Sequence, residues 1–249
     1  SPFIDYIIVF FMLAAGTNFS LHYLALRGDL KSYFKNSEFK FYIGGVFIFT
    51  ILMFIFIFNV NYQSIETSLR KSLFQVVSIV TTTGFTTADF EQWEPMAQIT
   101  LLILMFIGGC AGSTGGSIKN MRILFIVKHS FNEIKKLLHP FAIIPLKVGD
   151  RVVSDDIIKN ILGFFLIYVG TFALGSIVMS GLGLDIITSI SSVAATLGNV
   201  GPGLGAVGPM DHYAHIPALG KWILSFFMLL GRLELFTVLV IFTRSYWME

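Results

Sequence analysis

Two short tracts of the sequence could bind an ion through their backbone. The first comprises Thr81, Thr82, Thr83 and Gly84, and the second comprises Gly198, Asn199, Val200 and Gly201. Neither tract contains the carboxylate, imidazole or thiol groups that hold transition metals or transfer protons. A glycine after short or β-branched residues allows torsions that point successive carbonyls to one side, and such oxygens can replace the water shell of a monovalent cation. The tracts therefore predict a carbonyl filter for K+, and ordinary surface loops are the alternative interpretation.

The composition places these tracts in a membrane protein. Of 249 residues, 55% are hydrophobic, 26 are Phe and only 13% are charged, and the mean hydropathy is +0.77. Soluble domains carry about 25% charged residues, so a cytosolic enzyme and a disordered chain are excluded. The single cysteine excludes a disulfide scaffold. A net charge of +2 gives no reason to expect a nucleic-acid partner.

Five apolar stretches approach or exceed the roughly 20 residues that a spanning helix needs. They cover residues 3–26, 41–60, 95–127, 157–180 and 217–247. Lys and Arg concentrate in alternate connections, which predicts a multi-pass chain with its N-terminus outside and its C-terminus inside.

Two of the outer connections contain apolar runs that are too short to span. These runs, 72–87 and 187–205, each begin with helix-compatible sequence and end in a tract described above. Short apolar segments of this kind are typical of re-entrant helices, and irregular backbone at membrane depth must be buried or line water. We therefore predict an all-α membrane protein with two helix–re-entrant pore loop–helix repeats and one preceding transmembrane helix.

The third apolar stretch contains a glycine-rich segment (108–117) that should interrupt its helix. Five glycines in ten residues cost a helix several kcal/mol, at about 1 kcal/mol each. Because a break is tolerated only against protein or water, we expect a mobile constriction beside the pore. Its predicted gate residues are Gly108, Gly109, Gly112, Ser113, Thr114, Gly115 and Gly116. Close helix packing through small residues is the alternative.

Arg232 is the second part of the predicted gate. It lies within the last apolar stretch, where a charge is costly and indicates a functional site. We expect its side chain to contact carbonyls or hydroxyls of the glycine-rich segment and to hold the gate closed. The alternative is an arginine that extends to the inner membrane surface. Glu234 lies on another helix face and is predicted to pair with Lys119 or Arg122.

Several motifs together resemble one family, the Trk/Ktr/HKT superfamily of potassium and sodium transporters. The similarity is greatest to the C-terminal half, the third and fourth repeats, of the bacterial Trk-type potassium uptake subunit. The motifs are TTTGFTT (81–87), GGCAGSTGGSIK (108–119), ATLGNVGPGLG (195–205), GRLELFTVLVIFTRSYW (231–247) and FMLAAGTNFSLHY (11–23). Ser117 stands where the resemblance implies another glycine.

The resemblance implies a division of the chain. Residues 1–40 would form the closing transmembrane helix of a preceding repeat and a cytoplasmic loop, 41–130 the third-type pore repeat with a broken second helix, 131–156 a cytoplasmic linker, and 157–249 the fourth-type pore repeat.

The resemblance also implies a function and partners. The transported ion would be K+, with no organic cofactor and no enzymatic activity, in a bacterial inner membrane in contact with lipid. Four repeats would surround one pore, so this chain would need the N-terminal repeats that it lacks or a second copy. A homodimer and a cytosolic nucleotide-binding regulatory subunit are further implied partners.

Three alternatives remain open at this stage. The chain could belong to a sodium or mixed monovalent cation transporter of the same superfamily. It could be a non-conducting fragment. It could also be a secondary transporter with broken helices, although such folds are often built from inverted repeats and the loop charges here indicate parallel ones.

Overall fold

The computed structural model describes residues 1–139, 144–149, 151–233 and 235–248. Helices account for nearly all of its regular structure. They are α1 (Pro2–Ala15), α2 (Phe19–Leu26), α3 (Lys31–Lys35), α4 (Ser37–Ile57), α5 (Ile65–Val80), α6 (Pro95–Leu104), α7 (Asn120–Leu138), α8 (Asp155–Gly181), α9 (Ile186–Leu197), α10 (Ala218–Leu233) and α11 (Leu235–Ile241). A short antiparallel pair, β1 (Lys147–Val148) and β2 (Arg151–Val152), was not predicted from the sequence.

Among the described residues, α4 and α8 are long and apolar enough to cross a membrane by themselves. Two further spans result if each bent helix pair counts as one. The pair α1 and α2 is bent by 100°, and the pair α10 and α11 is bent by 115°. The structure is therefore that of an all-α membrane protein. Its helices are interrupted within these two pairs as well as in the third apolar stretch, where the sequence predicted a break.

The first apolar stretch, predicted as a span over 3–26, is divided between two helices. Helix α1 ends at Ala15, and α2 begins after Asn18, whose side chain accepts a hydrogen bond of 2.8 Å from the N–H of Ser20. Asparagine is among the best N-terminal capping residues, and the preceding glycine disfavours helix, so the chain turns here. The last stretch, predicted as one span over 217–247, is likewise divided between α10 and α11.

The short helices α5 and α9 have the form expected of re-entrant segments. Helix α5 has 16 residues and α9 has 12, and both are buried on all sides towards their C-terminal ends. Each helix ends at the residue before its tract, and the backbone leaves helical torsions within the tract. Helix α5 starts about two turns before the predicted run at 72.

Two apolar cores surround these two helices. Helices α1, α4 and α6 pack with α5, whereas α8, α10 and α11 form the core around α9. Phe106 and Phe172 pack against both cores, with their rings in an edge-to-face arrangement at 4.8 Å. The two halves therefore meet at a continuous apolar seam.

The predicted cytoplasmic linker contains regular structure at both ends. Helix α7 continues to Leu138 and α8 starts at Asp155, with the β1–β2 pair between them. The division of the chain into repeats and linker stays a prediction.

Candidate functional site

The two tracts share left-handed backbone torsions at two positions. Thr82 and Asn199, at the second position of each tract, have φ values of 53° and 56°. Gly84 and Gly201, at the fourth position, have φ values of 77° and 113°. This left-handed region is open to glycine but unusual for other residues, above all for a β-branched one such as Thr82. Both tracts therefore have left-handed torsions at the same two positions.

The same hydrogen bonds support both tracts. The N–H groups of Thr83 and Gly84 donate to the carbonyl of Ser78 at 2.9 and 3.4 Å. In the second tract, the N–H groups at the third and fourth positions donate to the carbonyl of Ala195 at 2.8 and 3.4 Å. Each re-entrant helix therefore positions its tract in the same way, and the sequence repeat is also a geometric one.

The two tracts contact each other. A Cβ atom added at Gly84 would overlap the carbonyl oxygen of Val200 and lie 3.2 Å from Cδ of Pro202. The carbonyl of Gly201 accepts a hydrogen bond of 2.7 Å from the hydroxyl of Tyr213, which the sequence did not single out. The predicted filter residues are thus brought together across the seam between the cores.

The third apolar stretch is interrupted, as its glycines predict. Helix α6 ends at Leu104 and α7 begins at Asn120, and we call the segment between them the intramembrane loop (105–119). Its base is closed by the N–H of Gly108, which donates to the carbonyl of Ile118 at 2.8 Å. Ser117 has a φ of 57°, which explains why the resemblance implies glycine at this position.

The intramembrane loop lies directly against both tracts. The N–H of Gly116 donates to Oγ1 of Thr82 at 2.8 Å. A Cβ atom added at Gly116 would lie 2.7 Å from Oδ1 of Asn199 and 2.8 Å from the carbonyl oxygen of Gly198. One glycine of the loop therefore contacts the corresponding position in each tract.

The break between α1 and α2 borders the loop on another side. The N–H of Cys110 donates to the carbonyl of Gly16 at 2.8 Å, and the N–H of Phe19 donates to the carbonyl of Gly112 at 3.1 Å. These bonds replace the helical ones that the break removes. Sequence reasoning missed this role, although Gly16 followed by an N-capping asparagine was a usable signal.

Arg232 contacts the loop. Its guanidinium donates a hydrogen bond to the carbonyl of Thr114. Its helix is held close to the second re-entrant helix, because a Cβ atom added at Gly231 would overlap the carbonyl oxygen of Leu197. Glu234, predicted to pair with Lys119 or Arg122, lies outside the described residues.

Glu38, in the first turn of α4, is a contact of the loop that the sequence did not reveal. Its side chain is buried, with 2% of the residue exposed. Its Oε1 accepts hydrogen bonds from the N–H of Ala111 at 2.6 Å and of Met121 at 3.1 Å. In the sequence this carboxylate resembles any other charge beside a span, so no local signal marks it.

Side chains also bind the backbone of the segment that follows each tract. Lys71 donates to the carbonyl of Thr87. Glu91 accepts a hydrogen bond of 2.5 Å from the N–H of Gly205 and so connects the outer segments of the two repeats. Partial burial raises the pKa of Glu91 above its ordinary value, although this hydrogen bond acts in the opposite direction.

The described part of the chain contains no group of three or more His, Cys, Asp and Glu side chains that could hold a metal ion. The polar atoms of the two tracts that Gly116 contacts are the hydroxyl of Thr82, the amide oxygen of Asn199 and the carbonyl oxygen of Gly198.

Comparison with known proteins agrees with this architecture. The sequence matches the TrkH family, described as cation transport protein, over residues 1–248. It is 42% identical over 251 residues to the Trk system potassium uptake protein TrkH of Salmonella typhimurium. The alignment covers 100% of this chain and 52% of that protein. It is 41% identical to the TrkH protein of Escherichia coli strain K12, with the same coverage.

A solved structure has the same fold. The crystal structure of the potassium transporter TrkH from Vibrio parahaemolyticus superimposes with a TM-score of 0.93 at 38% identity, covering 99% of this chain and 53% of that one. The chain thus spans about half the length of the relatives that it matches. On these similarities, the chain belongs to the TrkH family of cation transport proteins.

Proposed function

We propose that the chain forms part of a potassium uptake pathway in a bacterial inner membrane. The relatives from Salmonella typhimurium and Escherichia coli are named potassium uptake proteins, and their similarity extends over the whole chain. K+ is then the transported ion, and the protein's contribution is a path rather than a reaction, with neither an enzymatic step nor an organic cofactor.

The ion-binding site is formed by backbone carbonyls of the two tracts. The proposed K+ ligands come from Thr81, Thr82, Thr83 and Gly84 and from Gly198, Asn199, Val200 and Gly201. The observation that carries this assignment is the shared left-handed pattern at positions two and four, in tracts that touch at Gly84 and Val200. Tyr213 would orient the carbonyl of Gly201, because its hydroxyl occupies one side of that oxygen.

The intramembrane loop is the proposed gate. Gly108, Gly109, Gly112, Ser113, Thr114, Gly115 and Gly116 allow it to bend, and Arg232 holds it against the tracts through Thr114. Support comes from its position, since Gly116 contacts both tracts. A positive charge on this path also raises the barrier for cations, because the low dielectric of the membrane strengthens repulsion.

The complete pathway needs further pore segments. Two tracts supply only part of a ring of carbonyls, so further repeats of the full-length protein or a second copy must supply the rest. We also propose lipid contacts on the outer helices, a homodimer, and a cytosolic nucleotide-binding regulatory subunit, consistent with relatives that are named as parts of a Trk system.

The test of the filter is Gly84→Ala in the full-length protein. Besides its overlap with Val200, an added Cβ is strained at a φ of 77°. We expect K+ uptake to fall by about tenfold or more, since a strain of 1–2 kcal/mol acts on the ligands themselves. Gly44→Ala is the matched control, because a Cβ there would contact nothing within 4 Å.

Uptake of K+, Rb+ and Na+ should be measured in cells that lack other potassium uptake. A preserved K+ rate in a normally expressed Gly84→Ala variant would contradict the filter assignment. Equal rates for Na+ and K+ in the unaltered protein would instead favour the sodium or mixed-cation alternative.

A further inference from the structure

Glu38 is a buried carboxylate to which the proposed filter and gate assign no role. It belongs to α4 and lies far in sequence from the loop that it contacts. A single oxygen, Oε1, accepts both of its hydrogen bonds, from Ala111 and from Met121.

The two donors belong to different elements. Ala111 lies within the intramembrane loop, whereas Met121 lies in the first turn of α7. The first N–H groups of a helix have no partner inside the helix, and the partial positive charge of this end favours an anion. A buried carboxylate here is therefore satisfied by two backbone donors and by the end of α7.

The start of α7 is bonded to the loop at other points as well. The N–H of Asn120 donates to the carbonyl of Gly109 at 3.0 Å, and the ammonium of Lys119, the loop residue that precedes the helix, donates to the carbonyl of Gly115. The loop and the first turn of α7 are thus one hydrogen-bonded unit. Glu38 joins that unit to α4.

We propose that Glu38 is a positioning residue of the gate: its two hydrogen bonds hold the intramembrane loop and the start of α7 against α4, and breaking them releases both together. This inference rests on the proposed function, since it adds a residue to the proposed gate. Charge-assisted bonds are stronger than neutral ones, and a buried carboxylate that loses its partners is costly. The contact therefore favours one defined loop position over a range of intermediate ones.

Cys110 provides a direct measurement of loop position. It precedes Ala111, is completely buried and is the single cysteine of these 249 residues. In the full-length protein, the rate of its modification by N-ethylmaleimide can be followed by peptide mass spectrometry, whether or not the protein conducts.

Two variants separate the hydrogen bonds from side-chain volume. Glu38→Met keeps a similar length but removes the acceptor, whereas Glu38→Gln keeps an oxygen that can accept both N–H groups. We expect Cys110 in Glu38→Met to react about tenfold faster or more, as the loss of a charge-assisted hydrogen bond implies. Glu38→Gln should stay within about threefold of the unaltered protein. Glu94→Ala, at an exposed carboxylate without a side-chain cap bond, is the control.

Each result decides the proposal. Fast labelling in Glu38→Met with slow labelling in Glu38→Gln supports it. Slow labelling in a folded Glu38→Met, or equally fast labelling in both variants, overturns it. If Glu38→Met does not fold, the Glu38→Gln variant decides the proposal by itself. Fast labelling of Cys110 in that variant overturns the proposal, and slow labelling supports it. Arg232→Ala in the uptake assay tests the proposed gate separately, so the two ideas can fail independently.

Discussion

At the scale of single residues, two charged side chains bind backbone groups of the intramembrane loop and its border. Arg232 is compensated by the carbonyl of Thr114, and Glu38 by two backbone N–H groups. Thr114 and Ala111 belong to the irregular loop and Met121 to the first turn of α7, because the backbone of a regular helix has few groups to offer outside its ends. The break in the third apolar stretch therefore supplies partners for both charges.

Replacing Arg232 with alanine in the full-length protein should raise K+ uptake. The change removes an exposed hydrogen bond of about 1 kcal/mol, which corresponds to about fivefold in the open population. Uptake should be measured at matched expression. Arg244→Ala, at an exposed arginine near the end of the chain, serves as control. Equal uptake by Arg232→Ala and the unaltered protein would be incompatible with a role in closure.

At the scale of elements, each re-entrant helix is delimited by residues at its two ends. Ser64 and Asp185 cap the N-termini of α5 and α9, and the left-handed tracts end the helices at the other side. Capping replaces bonds that the first N–H groups lack. This arrangement explains why helices too short to span a membrane can keep a defined position.

Removing the cap of α9 by Asp185→Ala should lower stability by about 1 kcal/mol. Hydrogen bonds from the side chain and the N–H of Thr188 lower the pKa of Asp185 below its ordinary value. The stabilisation is therefore present above the unfolded pKa, near 3.9, and is lost as pH falls through the lowered folded value.

The measurement is thermal unfolding of the detergent-solubilised full-length protein over a series of pH values. The difference between the unaltered protein and Asp185→Ala should shrink at acid pH, whereas Asp185→Asn should keep most of the cap without this titration. Asp156→Ala, at an exposed carboxylate in the first turn of α8, is the control. A difference that is independent of pH would rule out the carboxylate as the stabilising group.

At the scale of the whole molecule, two similar halves meet at the tracts and the loop. The outer faces of the long helices remain apolar and exposed, for example at Phe47 on α4 and Leu166 on α8. Large exposed apolar surfaces mark contact with membrane or protein. Lipid and further repeats are the partners that this surface would need.

A polypeptide limited to these 249 residues should give no K+ uptake as a monomer. In the proposed filter, two tracts supply only part of the carbonyl ring that would replace the water shell of the ion. Uptake should be compared with that of the full-length protein, and the size of the purified polypeptide should be determined in detergent. Uptake by a proven monomer would contradict the need for further pore segments, whereas uptake by a dimer would favour a second copy as their source.

Local sequence was sufficient for much of the architecture. Apolar length identified α4 and α8 as spans, and the short runs before Gly84 and Gly201 identified the re-entrant helices. The density of glycine between 108 and 117 predicted the break between α6 and α7. These features depend on composition and helix propensity over a few turns, which the sequence displays directly.

Contacts between distant segments were decided only by the tertiary structure. The turn between α1 and α2 is favoured by Gly16, yet its bond to Cys110 forms only because the loop lies beside it. Glu38 was unremarkable in sequence because its two donors lie 73 and 83 residues away. The sequence by itself thus determined which segments must leave regular helix, since that depends on neighbouring residues. Only packing determined which groups would satisfy the exposed backbone, because those partners come from elsewhere in the chain.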